Sequence, residues 1–171
     1  EMARRDDLTG LYNDRFFHHR LSEDLIRADV TRSTVALLFL DVDNFKSVND
    51  THGHLAGSQV LKEFGYLLTT AVTAEGATLA RYGGDEFVII LPDHDLEMAC
   101  SVAAAIQDAL SKTRFLQGNF SWAEGPVYWR KPLTSSIGVA VYPHHLPRQG
   151  PGLIDDDQRH PAVHEGRLLH P

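Results

Sequence analysis

The sequence predicts a single α/β domain, and three observations lead there. The chain has 171 residues, 43% of them hydrophobic, enough to bury one sizeable core. Stretches with apolar residues at helical spacing alternate with short β-branched runs, in the order α-β-α-β-β-α-β. Between residues 77 and 92, "ATLARYGGDEFVIILP" sets two β-prone runs on either side of Gly83 and Gly84, the usual signal of a tight hairpin.

Each element follows from its own pattern. "DDLTGLYNDRFFHHRLSEDLIRA" opens with turn formers and then spaces Phe16, Phe17, Leu21, Leu25 and Ile26 as an amphipathic helix. "STVALLFLDVDNF" is an apolar run ending at Asp41 and Asp43, the pattern of a central strand that surfaces only at its C-terminal end. "KSVNDTHGHLAGS" is polar and reads as a loop, after which Val60, Leu61, Phe64, Leu67, Leu68, Ala71 and Val72 mark a second helix. The hairpin comes next, its glycines suited to the positive φ that tight turns need. "DLEMACSVAAAIQDALSK" is a third helix, capped by Asp93 or Asp95, with Leu96, Ala99, Val102, Ala103, Ile106 and Leu110 inward. "NFSWAEGPVYWRKPLTSSIGVAVYP" supplies aromatic and β-branched strands around an "EGP" turn. From Pro143 onward the last 29 residues hold five of the eight prolines and five of the ten histidines, without hydrophobic period. Regular structure is not expected there, and "PHHLP" and "HPAVHE" read as loose tail rather than metal clusters.

Charge narrows the partners. A net charge of −7 and a pI of about 5.7 argue against a nucleic-acid partner or an anionic membrane surface. Cys100 is the only cysteine, so no intrachain disulfide forms and a reducing, cytoplasmic location fits. No apolar run is long enough to span a bilayer, and no stretch has a signal-peptide layout. The start at "EMARRDD" reads as a fragment of a longer chain.

The acids carry the chemistry. A lone "GGDE" is explained by a solvated turn, but a βαββ order with the hairpin beside the first strand brings "FLDVD" next to "YGGDEF". Asp41, Asp85 and Glu86 then share one site, where adjacent carboxylates repel unless a divalent cation neutralises them. Hard oxygen ligands suit magnesium or manganese alongside nucleotide phosphates. With two glycines that permit close approach and Lys46 just beyond the first acids, the pattern suggests phosphoryl or nucleotidyl transfer. No "GxxxxGK[ST]" loop is present.

"RYGGDEF", "LDVDNFKSVNDTHGHLAG" and "DDLTGLYN" together resemble the GGDEF-domain family, the diguanylate cyclases, over roughly residues 6 to 143. The resemblance implies an α/β (α+β) domain similar to nucleotide cyclases and polymerase palms, with a central, mainly antiparallel sheet flanked by helices. It assigns residues 1–145 to that domain and leaves 146–171 as a diverged or disordered C-terminal tail. The implied activity condenses two GTP into cyclic di-GMP with release of two pyrophosphates, in a homodimer whose domains each present one GTP. Neighbouring sensor or phosphodiesterase domains would be usual partners.

Carried over residue by residue, the metal ligands for Mg2+ (or Mn2+) are Asp41, the Val42 carbonyl and Asp85. Glu86 completes the acidic site, and Lys46 offsets charge that builds during displacement. Asn49 matches the guanine-binding asparagine, His54 lies near the nucleotide, and Gly83 and Gly84 let backbone approach the phosphates. Phe45, Leu61 and Arg81 shape or support the pocket, although core packing explains Phe45 and Leu61 equally well. Ser58 stands where the family has a carboxylate that accepts hydrogen bonds from guanine; as a serine it also fits a helix N-cap near Gln59. The family's inhibitory "RxxD" falls on "AEGA", residues 74–77, and the terminal "ADxALYxAKxxGRN" is replaced by "LIDDDQRHPAVHEGRLLHP". The second functional class, a GTP-binding regulatory module without turnover, rests on these departures.

Overall fold

The computed structural model describes residues 3–143 in full and 167–169 as backbone. Helix α1 (Asp14–Thr31) leads into strand β1 (Val35–Val42), which is followed by helices α2 (Phe45–His52) and α3 (His54–Ala71). The hairpin is β2 (Thr78–Gly83) with β3 (Glu86–Pro92), and helix α4 (Leu96–Lys112) follows. Two short strands, β4 (Gln117–Gly118) and β5 (Val127–Tyr128), precede β6 (Ser135–Tyr142) and β7 (Arg167–Leu169).

The main sheet has the order β2-β3-β1-β6-β7, and every pairing in it is antiparallel. Strand alternation divides the core between its two faces. Ala36, Leu38, Leu40 and Val42 of β1 point with Phe87, Ile89 and Leu91 of β3 toward α3 and α4, where they meet Val60, Phe64, Leu68, Ala103 and Ile106. Val35, Val88 and Ile90 point the other way, onto Phe17 and Ala28 of α1. β1 is therefore buried along the face that carries Ala36, Leu38, Leu40 and Val42. On the other face Phe39 is exposed in mid-strand as well as Asp41 near the C-terminal end, so the strand does not surface only at that end as its sequence suggests.

Several elements differ from expectation. The stretch 46–58 is not a loop: α2 occupies Phe45–His52, and α3 begins at His54. α2 is hard to see in the sequence because Val48 is its only buried residue. Its entry is a left-handed turn at Asn44 (φ 55), a conformation asparagine tolerates. Gly53, at φ 88, separates the two helices where a side chain would be strained. Gly83 and Gly84, by contrast, are not among the residues with positive φ. A bulge at the Arg81–Gly83 step shapes the hairpin tip instead. Asp95 caps α4, accepting the Met98 N–H at 2.8 Å.

Leu96 and Ile26 point outward, 45% and 65% exposed. Leu96 is the first residue of α4, directly after the Asp95 cap. Ile26 lies two residues from Asp24 and from Ala28, which puts it across the helix from that buried stripe. In the region expected to be tail, Arg167–Leu169 pair with Val139–Ile137 as an edge strand. "PHHLP" beyond Pro143, "HPAVHE" and "LIDDDQ" lie outside the described residues.

Candidate active site

Helical spacing builds one wall of the candidate site. Phe45 and Asn49 are four apart on α2, and His54, Ser58 and Leu61 follow at steps of four and three on α3, so each set shares a helix face. These two faces and the hairpin tip enclose a cleft of about 170 Å3 lined by Leu8, Phe45, Asn49, His54, Ser58, Leu61, Arg81 and Gly84. Seven residues singled out in the sequence thus converge, joined by Leu8. Phe45 and Leu61 also pack against the core, so packing and lining coexist. Ser58 is the fifth residue of α3 and not its cap, which removes the N-cap reading. A larger groove of about 360 Å3 between α3 and α4, lined by Lys62, Tyr66, Leu67 and Ala109 among others, includes none of these residues.

Close packing of α2 on α3 depends on Gly57. A Cβ there would collide with Asn49 Oδ1 and lie 3.0 Å from Phe45 Cζ. Asn49 Oδ1 is buried with no hydrogen-bond partner among the described residues.

The hairpin tip is braced from the N-terminal turn. Arg81 Nε and Nη2 donate to the Gly84 carbonyl at 3.1 and 2.9 Å, while Nη1 reaches Asp6 Oδ1 at 3.2 Å. Asp6 also accepts the Thr9 N–H and hydroxyl at 2.8 and 2.7 Å. Burial pushes the Asp6 carboxyl up, but the Thr9 bonds and the Arg81 charge outweigh it and hold the group below the ordinary aspartate range. Arg81 therefore supports the tip, its guanidinium committed to Gly84 and Asp6. An added Cβ at Gly84 would meet nothing within 4 Å, whereas at Gly83 it would face Glu86 Oε2 at 3.3 Å. Gly84 thus presents bare backbone to open space.

Beside the cleft lies the acidic edge. β1 and β3 pair with Asp41 opposite Glu86, and the Val42 N–H donates to the Asp85 carbonyl at 3.3 Å. Burial first, and then the charges of Asp85, Glu86 and Asp43, hold the Asp41 carboxyl above the ordinary aspartate range. No described group of three or more His, Cys, Asp or Glu side chains forms a closed metal cage. Two carboxylates and a backbone carbonyl fit a hard cation whose remaining ligands are water and phosphate oxygens. Lys46, in the first turn of α2, makes no hydrogen bond or ion pair among the described residues.

Sequence reasoning passed over Leu8, Gly57, the brace from Asp6 to Arg81, and three hydroxyls at Thr134–Ser136 that grip the acidic edge from the start of β6 and the residue before it. The Asp-x-x-Thr spacing of "DDLTG" is a local signal for the brace. The hydroxyl contacts lie more than 90 positions away in sequence and carry no local signal.

Comparison with known proteins bears on the same residues. The family model described as "Diguanylate cyclase, GGDEF domain" matches residues 3–156. The response regulator PleD of Caulobacter vibrioides is 41% identical over 115 residues, 67% of this chain and 25% of PleD. YhcK of Bacillus subtilis is 32% identical over 167 residues, 96% of this chain and 44% of YhcK. The chain thus spans less than half the length of either relative. Among solved structures, the GGDEF domain of PA1120 (TpbB or YfiN) from Pseudomonas aeruginosa superposes with a TM-score of 0.70 at 35% identity, covering 81% of this chain and 76% of that one. The GGDEF domain of DgcB from Caulobacter crescentus, in complex with c-di-GMP, gives 0.71 at 29% identity, covering 82% and 76%.

Proposed function

Because the chain belongs to the diguanylate cyclase GGDEF-domain family, we propose that it condenses two GTP into cyclic di-GMP and releases two pyrophosphates. The observation that carries this reading is the placement of the acidic edge, Asp41 paired with Glu86 and Val42 hydrogen-bonded to Asp85, next to a cleft lined by Asn49, His54 and Ser58.

Asp41, the Val42 carbonyl and Asp85 would hold Mg2+ or Mn2+, which when bound neutralises phosphate charge and favours displacement at the α-phosphorus. The base enters between Phe45 and Leu61, where the buried Asn49 Oδ1 accepts from the guanine edge. Gly84 lets phosphates lie against backbone. Glu86, exposed at the tip, stands ready to receive the proton of the attacking 3′-hydroxyl. Lys46 adds positive charge against the negative charge that grows on the leaving oxygen. Each domain supplies one GTP, so catalysis requires a homodimer; sensor or phosphodiesterase domains in a longer chain would control that meeting.

Ser58 in the cleft favours a second reading, a regulatory module that binds GTP without turnover. Incubation with GTP and Mg2+ or Mn2+, followed by chromatography, separates the two: cyclic di-GMP supports the cyclase, and bound but unconverted GTP supports the module. Asp85→Ala should abolish turnover and leave the circular dichroism spectrum unchanged, because a turn carboxylate adds little to the core. Product formation by that variant at the unmodified rate would refute the site assignment.

A further inference from the structure

The turn that carries Asp41 and Val42 is gripped by three consecutive hydroxyls, on Thr134 just before β6 and on Ser135 and Ser136 at its start. Thr134 Oγ1 donates to Asp43 Oδ2 at 2.8 Å, and Ser136 Oγ donates to Asp43 Oδ1 at 2.7 Å. Between them, Ser135 Oγ donates to the Asp41 carbonyl at 2.7 Å, and the Asp43 N–H donates to the Thr134 carbonyl at 2.9 Å. Each carboxylate oxygen of Asp43 thus accepts from a neutral donor. The strand register explains the meeting, since Asp41 and Val42 lie opposite Ser136 and Ser135. On the other side of β1, the turn is joined to the hairpin by the bond from Val42 to Asp85. Immediately beyond Asp43 the backbone enters the left-handed turn at Asn44 and then α2, which carries Lys46 and Asn49.

Backbone pairing alone fixes a strand end loosely, because terminal residues fray. A hard cation, by contrast, needs its oxygen ligands at well-defined distances. We propose that Asp43, Thr134 and Ser136 form a positioning clamp that fixes the turn bearing Asp41 and Val42 and so sets the affinity of the site for its divalent cation. The inference rests on the reading of Asp41, Val42 and Asp85 as cation ligands. Asp43 is a positioning residue in this scheme: its oxygens are spent on the two hydroxyls, which keeps a nearby carboxylate from competing for the ion.

The test is Mn2+ binding, followed by electron paramagnetic resonance of free Mn2+ in the presence of a non-hydrolysable GTP analogue. In the double variant Thr134→Val, Ser136→Ala, Mn2+ affinity should fall roughly tenfold or more, the usual cost of losing partners that orient ligands. The pair Thr134→Ser, Ser136→Thr keeps both hydroxyls and should bind Mn2+ like the unmodified protein. Should the double variant fail to fold by circular dichroism, Ser136→Ala alone, which removes one bond, should still weaken binding measurably. Equal or tighter Mn2+ binding by a folded variant lacking either hydroxyl overturns the clamp. If the unmodified protein binds no Mn2+ with the nucleotide, the ligand assignment fails and the clamp with it. If it binds and the variants match it, the clamp alone fails.

Discussion

Ser58 faces the cleft four residues after His54 and three before Leu61, so its hydroxyl borders whatever base enters. A hydroxyl donates or accepts by rotating, whereas a carboxylate at the same place only accepts. Guanine presents donors at N1 and N2; adenine presents an acceptor at N1. A serine therefore satisfies either base weakly. Hydrogen bonds to a charged partner contribute about 1.5–3 kcal/mol against about 1 kcal/mol for neutral ones, a difference on the order of tenfold in affinity. Ser58→Asp should accordingly tighten GTP roughly tenfold and weaken ATP. Calorimetric titration of both proteins with both nucleotides reads this directly, and identical profiles would remove Ser58 from the base site. The residue was visible in the sequence as a serine where the family has a carboxylate, but its choice between cap and pocket wall was not. That choice turned on where α3 begins, which Gly53 decides four residues before the helix reaches Gly57.

At the scale of elements, strong periodicity was legible and weak periodicity was not. α3, α4, β1 and the hairpin each bury a regular set of side chains, and the sequence displays that regularity. α2 has eight residues and buries one, so its polar composition reads as loop; its helicity shows only when it is packed on α3. That packing yields a prediction. Gly57→Ala forces a methyl into Asn49 Oδ1 and against Phe45, so the Asn49 side chain or α2 itself must shift. Such overpacking costs about 1–3 kcal/mol; it should appear as a lower denaturation midpoint together with weaker GTP binding. Loss of stability with nucleotide affinity intact would uncouple Asn49 from the site.

α1 offers a second, independent test. Asp24 is almost fully buried, 3.5 Å from Arg20 and 3.6 Å from Arg27 without a hydrogen bond to either. Burial raises its pKa beyond what the two arginines can restore. The native state therefore holds this proton more tightly than the unfolded chain. The stability Asp24 contributes is complete below the ordinary value of about 3.8 and is lost as pH rises through the raised native value. Asp24→Asn removes that loss, so in urea denaturation it should match the unmodified protein in acid. Toward pH 7 its stability should rise relative to that of the unmodified protein, the gap opening as pH passes through the raised native value. A difference that is constant with pH would show that Asp24 is not the titrating group.

Taken whole, the described part of the molecule has one acidic edge and one adjoining cleft, which on the proposed reading serve a single nucleotide. Joining the 3′-oxygen of one GTP to the α-phosphorus of another, twice, therefore needs two copies facing each other across their acidic edges. The rate per molecule should fall as the protein is diluted below its self-association constant and level off above it. A fused coiled coil should restore the rate at low concentration, because tethering replaces free concentration by an effective one in the millimolar range. Product control follows from the same geometry. The turn between α3 and β2 carries Ala74, Glu75, Gly76 and Ala77 where the family's inhibitory "RxxD" would fall. With no arginine there to pair with a phosphate, and with Glu75 repelling one, that turn does not suit cyclic di-GMP, and the proposed substrate cleft is where it should compete. It should inhibit weakly, and competitively with GTP, in steady-state assays at saturating protein. Tight noncompetitive inhibition would require a product site elsewhere on the chain, and a rate per molecule that stays flat across dilution would exclude the two-domain reaction.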